Sequence, residues 1–351
     1  MMETDPQTKG ENALRTIEEL EAKLAEPSEA LVKDLSTIEG NILILGVGGK
    51  MGPSLARLAQ NAVREGGLNK RILGVSRFSN EEARRELEDA GIETISCDLL
   101  NDEELMKLPH ADNIIYMAGN KFGTTGREHF TWGMNTYLPG RVAEKYKDSR
   151  IVVFSSGNIY PFMPVGSGGA SESITPEPVG EYAQSTLGRE RIFEYHSHKN
   201  GTPMLFYRLN YAIDMRYGVL LEIIKSVQEQ RAINLTMGHA NVIWQGDANQ
   251  MALRCLTECT NPPSIMNITG PETMSIRWAA EEFAKRLGKE AIFEGMESEL
   301  ALLNNASKSH QRFGYPTVSL LQMIDWLAEW VEAGGATWNK PTHFQERKGK
   351  F

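Results

Sequence analysis

Two stretches carry the side chains best suited to chemistry: Ser155-Ser156-Gly157-Asn158-Ile159-Tyr160 and Tyr182-Ala183-Gln184-Ser185-Thr186. A serine hydroxyl can hold the oxygen of an alcohol or ketone, and a tyrosine phenol can move its proton. The pair gains meaning only beside a hydride carrier, because tyrosine is otherwise most often a packing residue. The seat for such a carrier is legible further upstream. Asn41-Ile42-Leu43-Ile44-Leu45 is a short apolar run that stops at Gly46-Val47-Gly48-Gly49-Lys50-Met51-Gly52, and Pro53 onward repeats apolar residues at helical spacing. Strand, tight turn and helix in that order open a dinucleotide-binding unit.

Glycine lets the backbone turn sharply and approach a pyrophosphate, whose charge is met by the free N–H groups and dipole of the helix start. The spacing is G-x-x-G-x-x-G, carried by Gly46, Gly49 and Gly52 with Gly48 as an extra; Met51 stands where the G-x-G-x-x-G form requires glycine. Lys50 and Met51 share the turn and are expected at the cofactor. At the end of the second predicted strand, where an acidic residue would hold a ribose 2′-hydroxyl, the chain has Ser76-Arg77. A hydroxyl and a guanidinium suit a 2′-phosphate, so NADP is expected, with NAD as the alternative.

The elements that must position these groups follow in alternation. Strands are predicted at Arg71–Ser76, Ile92–Ser96, Asn113–Met117, Ile151–Phe154, Met204–Leu209 and Ile265–Ile268. Helices are predicted at Asn80–Ala90, residues 127–147 and Tyr182–Tyr195. Alternation of this kind implies an α/β fold, a Rossmann-type doubly wound parallel sheet with ligands at the strand carboxyl ends. Residues 40–210, joined by about 241–270, are read as the dinucleotide-binding domain, and 211–240 with 271–334 as a smaller, interleaved substrate-binding cap. The Gly-, Ser- and Pro-rich stretch 161–181 is expected to loop over the site. Residues 1–39 form a helical extension: Thr16-Ile17-Glu18-Glu19 has capping-box spacing, and Leu14, Ile17, Leu20 and Leu24 make a stripe for packing on this chain or on a second copy. The tail, 335–351, has no pattern beyond Trp338, Pro341 and Phe344.

At 351 residues the chain can bury a full core. Its net charge of −9 argues against nucleic acid. It has no apolar run long enough to span a membrane and no apolar N-terminal leader, so no membrane partner is expected. Cys97, Cys255 and Cys259 read as buried thiols of a reducing cytoplasm, and no metal site is expected. A homodimer is the expected assembly.

Taken together, the ordered motifs resemble the extended short-chain dehydrogenase/reductases, the group of sugar epimerases, dehydratases and reductases. The resemblance covers roughly residues 40–330 and rests on the glycine turn, Asp98-Leu99, Ala118-Gly119, Asn135, Ser155-Ser156 through Tyr160-Pro161, and Tyr182 with Ser185. Glu172, Pro176 and Pro178, Asp247, and Asn305-Ala306-Ser307-Lys308 with Phe313-Gly314-Tyr315-Pro316 are similar to later family signatures. It implies that Asp98 and Leu99 sit at the adenine and Ala118 and Gly119 beside the dinucleotide. It further implies a site in which Ser156 holds the substrate oxygen, Tyr182 is the acid/base and Asn135 assists. Asn158, Tyr160 and Asn210 are expected at the substrate. Lys121 is similar to a lysine that some nucleotide-sugar epimerases carry near the active site.

One departure bears on mechanism. The family pattern is Y-x-x-x-K, and Thr186 stands where the lysine belongs. An ammonium there lowers the tyrosine pKa from its reference near 10 and holds the nicotinamide ribose; Thr186 can offer a hydrogen bond but no charge. Arg189 is seven residues after Tyr182, two turns along, and lies off that spacing. Lys121 then supplies the field, or Tyr182 acts as an acid, or the redox step has been lost. The leading expectation is an NAD(P)-dependent oxidoreductase or epimerase of a sugar-derived hydroxyl or ketone. The alternative is a catalytically impaired dinucleotide sensor or scaffold.

Overall fold

A computed structural model of the protein describes residues 14–123 and 125–350. Its seven-stranded sheet comprises β1 (Ile42–Leu45), β2 (Ile72–Ser76), β3 (Glu93–Ser96), β4 (Asn113–Tyr116), β5 (Arg150–Ser156), β6 (Met204–Leu209) and β7 (Ser264–Ile268). The spatial order is β7-β6-β5-β4-β1-β2-β3, and every pairing is parallel. β1 and β4 are buried along their whole length, as strands covered on both faces must be, which is why they read as unbroken apolar runs. The order reverses between β1 and β4. That switch point opens a crevice at the strand carboxyl ends.

Helices cover the sheet on two sides. α1 (Ile17–Leu24) and α2 (Glu29–Ser36) precede it, and α3 (Gly52–Glu65), α4 (Glu81–Asp89) and α5 (Asp102–Lys107) are crossovers. α5 is not among the helices expected from sequence, because its six residues are too few for a periodic signal. The predicted helix 127–147 is α6 (Glu128–Trp132) and α7 (Leu138–Lys145) joined by a π-helical turn, Gly133–Tyr137. The long α8 (Gly180–Asn200) carries Tyr182.

One sheet face packs Ile42, Ile44 and Ile115 against Leu55 and Leu58 of α3; the other packs Leu43, Leu45 and Val153 against Leu138 and Phe193. A separate apolar cluster holds α9 (Val219–Gln228), α11 (Ile276–Leu287) and α13 (Leu320–Glu332), while α10 (Gln245–Arg254) and β7 return to the sheet. α12 (Ser307–Phe313) lies along β7, with Lys308 Nζ donating to the Ile265 carbonyl at 2.6 Å.

The extension has the expected capping box at Thr16. Leu20 and Leu24 are fully buried in the cluster of α9, and Leu31 and Leu35 against the sheet-face helices. Leu14, Leu20 and Leu24 of the stripe are therefore covered by their own chain, while Ile17 stays exposed. Glu21 fixes the arrangement, accepting from Arg57 of α3 at 2.8 Å and from Arg216 at 2.5 Å. The stretch 161–181 differs from expectation. Met163–Pro164 pairs antiparallel with Leu300–Ala301 and Ala170 bridges Asn304, so it is stitched to residues 300–304 and none of it lines the cavity described below. The tail is ordered by specific contacts: Trp338 N–H donates to the Arg216 carbonyl, Phe344 is buried, and Arg347 donates to the Thr236 and Leu300 carbonyls.

Candidate active site

The glycine turn is built by two steric demands. Gly46 has φ +93°, and a Cβ there would lie 2.8 Å from the Ala118 nitrogen at the end of β4; one on Gly52 would lie 2.1 Å from the Val47 carbonyl oxygen. Gly49 is different, since a Cβ there meets nothing closer than 3.4 Å. It borders open space. α3 has no side-chain cap and carries Pro53 in its first turn, so its leading N–H groups face the crevice for an anion.

Gly46, Gly49, Lys50, Met51, Gly119, Lys121, Ser156, Asn158, Tyr182 and Asn210 line one cavity of about 430 Å³. Ser156 ends β5, accepting the Asn158 N–H at 3.1 Å and donating to Asn158 Oδ1 at 3.0 Å. Lys121 Nζ is 5.6 Å from the centre of the Tyr182 ring. Burial lowers the Lys121 pKa, and the opposing influence of Tyr182 and Glu222 raises it. Lys50 leaves the glycine turn, but its ammonium lies 3.5 Å from the Tyr217 ring centre and 4.4 Å from that of Phe122. This sets the ammonium against two aromatic rings of the same cavity that the glycine turn lines. Burial, then Lys121 and Lys340, bring its pKa down to about 8.

Other expected residues lie outside the cavity. Gly48 and Gly52 back the turn, and Ser76 packs on Gly48, where a Cβ would come within 2.4 Å of its Oγ. Arg77 and Asp98 are exposed at the ends of β2 and β3; Asp98 closes on its own loop, accepting the Leu100 N–H. The side chains of Leu99 and Ala118 are buried in the core cluster, so Leu99 cannot present its side chain to an adenine. Tyr160 is a clearer correction. The 3₁₀ turn Gly157–Ile159 buries it, and its hydroxyl accepts from Arg208 at 2.6 Å and donates to Asn267 at 2.9 Å. Thr186 is also corrected: fully buried, it donates to the Tyr182 carbonyl at 2.8 Å, one turn back in the same helix.

Asn135 does not reach the cavity either. The π turn buries its amide, which accepts from Asn120 N–H at 2.8 Å and Arg189 Nη2 at 2.9 Å, and donates to Asn120 O at 2.9 Å and Ser185 Oγ at 3.0 Å. It is a positioning residue for the segment that bears Lys121. Arg189, off the spacing of the family lysine, is a buried cation behind the site, donating also to the Phe154 carbonyl at 2.7 Å. Its offset of seven residues places it on the same helix face as Tyr182, and that was the available signal.

No known family profile matches the chain, and no curated protein matches it in sequence. Solved structures do. UDP-glucuronic acid 4-epimerase from Bacillus cereus, in complex with UDP-glucuronic acid and NAD, superposes with a TM-score of 0.67 at 18% identity, over 83% of this chain and 99% of that one. UDP-glucose 4-epimerase from Thermus thermophilus, in complex with NAD, gives 0.67 at 17% identity over 83% and 99%. That of Thermotoga maritima, with UDP-glucose, gives 0.66 at 15% over 84% and 99%. The chain shares the fold of these structures. At such identities the likeness is one of architecture.

Within that fold, this chain's cavity is completed by residues that sequence reading did not assign: Phe122, Tyr211, Tyr217, Gln245 and Thr342. Asn210, only 2% exposed, has a side-chain Nδ2 with no hydrogen-bond partner among the described residues. No three His, Cys, Asp or Glu side chains converge on a metal position among the described residues. None of the described helices is long and apolar enough to cross a membrane.

Proposed function

We propose that this protein is a nicotinamide-dinucleotide-dependent oxidoreductase or epimerase acting on a sugar or sugar-derived hydroxyl or ketone. One observation carries the reading: the open glycine turn, Ser156 and Tyr182 border the same cavity. Solved structures sharing the fold are UDP-sugar 4-epimerases with NAD, which supports it. The residues present fit a dinucleotide. Gly49 leaves room for a pyrophosphate, and the uncapped start of α3 offers N–H groups. When bound, the nicotinamide supplies a hydride acceptor and donor.

The chain's own groups do the rest. Ser156 Oγ turns from Asn158 to the substrate oxygen, and Tyr182 moves that oxygen's proton. Lys121, approaching from the β4 loop with its ammonium 5.6 Å from the Tyr182 ring centre, brings to the site a cation that Thr186 does not. Asn210 Nδ2 donates to a further substrate oxygen. Ser76 and exposed Arg77, with no acidic residue at that strand end, favour NADP over NAD. Exposed Trp132, Tyr137 and Tyr195 on α6–α8 provide the apolar face of a homodimer. Three unpaired cysteines fit a cytoplasmic location.

Gly49→Leu tests the seat. The backbone tolerates a Cβ there, so the variant should keep its fold by circular dichroism while losing dinucleotide affinity at least tenfold by fluorescence titration. Unchanged affinity overturns the reading.

A further inference from the structure

We propose that the C-terminal segment 336–350 is a strap across the mouth of the active-site cavity, lifting to admit the dinucleotide and its substrate and closing behind them. This rests on the dinucleotide-dependent reading above and adds a gate to it.

The segment crosses from one bank of the cavity to the other. On the first bank it lies on α9. Lys225 Nζ donates to Thr337 Oγ1 and Asn339 Oδ1, each at 3.0 Å, and the Thr342 backbone N–H donates to the Glu222 carboxylate. Trp338 fixes this end: its N–H donates to the Arg216 carbonyl at 3.1 Å, and its ring centre is 4.8 Å from the Arg216 guanidinium. At mid-span Thr342 lines the cavity, and the His343 ring centre is 6.0 Å from that of Phe122, which lines it from the β4 loop. On the second bank the strap meets the start of α8, just ahead of Tyr182. A Cβ on Gly349 would lie 2.3 Å from the Val179 carbonyl oxygen, and one on Gly180 would lie 2.3 Å from the Gly349 carbonyl oxygen. Backbone therefore rests on backbone there. Arg347 Nη1 clasps this end, donating to the Thr236 and Leu300 carbonyls at 3.1 and 3.0 Å.

These fastenings suit a part that moves. No residue of 336–350 belongs to a helix or strand, so lifting the strap breaks no helical turn or sheet ladder. Asn339 and His343 have φ of +51° and +56°, in the left-handed region that side chains disfavour. They bracket Thr342, so the span over the cavity is held in a conformation that relaxes on release, as at ligand clamps and switches. Two features draw it back. Phe344 plugs the apolar cluster of α9, and opening strips the buried Glu222 carboxylate of the Thr342 N–H.

The test pairs hydrogen exchange by mass spectrometry with stopped-flow fluorescence of NADPH and NADH, on full-length wild type, Gly349→Val and Arg347→Ala. In free wild type, residues 336–350 should exchange about tenfold or more faster than α9 beneath them, and bound dinucleotide should slow them. Both variants unfasten the far end and should keep the fold by circular dichroism. A gate limits passage in both directions, so association and dissociation rates should rise together, by about fivefold or more, while Kd stays within about threefold. Exchange no faster than that of α9, or indifferent to dinucleotide, overturns the inference. So do rates unmoved in both variants, which make the tail a fixed wall, and a dissociation rate that rises alone, which makes it a ligand contact. Wild type that binds neither dinucleotide defeats the underlying reading instead, and exchange in the free protein still reports whether the strap opens.

Discussion

The Asn135 side chain grips both backbone groups of Asn120, accepting its N–H at 2.8 Å and donating to its carbonyl at 2.9 Å. The same amide meets Arg189 and Ser185, so one buried residue ties the Lys121 segment to the helix of Tyr182. Asn135→Ala leaves a buried guanidinium and two backbone groups short of partners, at about 1–3 kcal/mol for each unsatisfied group. Urea denaturation should show a loss of about 3 kcal/mol or more. A loss below about 0.5 kcal/mol, the range of an ordinary surface change, would contradict the positioning role.

Arg77 is exposed at the carboxyl end of β2, with Ser76 beside it. Removing the guanidinium should cost a 2′-phosphate one charge-assisted contact, about 1.5–3 kcal/mol, or roughly tenfold or more in affinity. Arg77→Ala is expected to weaken NADPH by that factor and leave NADH nearly unchanged in fluorescence titration. Equal effects on both, or none, would remove the NADP assignment.

Tyr137 and Tyr195 are 56% and 61% exposed on the outer surface of α7 and α8 and the turn before them. Placing a carboxylate between two apolar faces should prevent pairing, so Tyr195→Glu is expected to sediment as a monomer where wild type sediments as a dimer. Its folding stability should change by no more than about 0.5 kcal/mol. Wild type that remains monomeric at micromolar concentration would contradict the homodimer.

What was legible in the sequence was local. The β1 run, the glycine turn and α3 are contiguous, and their periodicity and steric needs appear in neighbouring residues. The strand ends at Ser156 and Asn210 followed from that alternation. The remainder depends on distant parts of the chain. Thr186 reads as a cofactor hydroxyl until its donation to Tyr182 within α8 is seen. Tyr160 reads as a substrate contact until Arg208 and Asn267, far away in sequence, take its hydroxyl. Arg189 and Asn135 meet only because a π turn rotates one toward the other. Thr342 reaches the cavity because Phe344 and Arg347 anchor a tail that has no periodicity of its own.

The central claim is that Tyr182 moves a proton while hydride passes to or from a nicotinamide. The most direct measurement compares wild type with Tyr182→Phe in substrate conversion, by absorbance at 340 nm and chromatography of products. The panel is sugars, sugar acids, sugar phosphates and nucleotide sugars with NADP or NAD. Wild type should convert at least one of them, and Tyr182→Phe should be slower by about 10²–10⁴-fold with dinucleotide affinity unchanged. Dinucleotide binding without conversion, or conversion undiminished in Tyr182→Phe, would contradict the account and favour a dinucleotide-sensing protein.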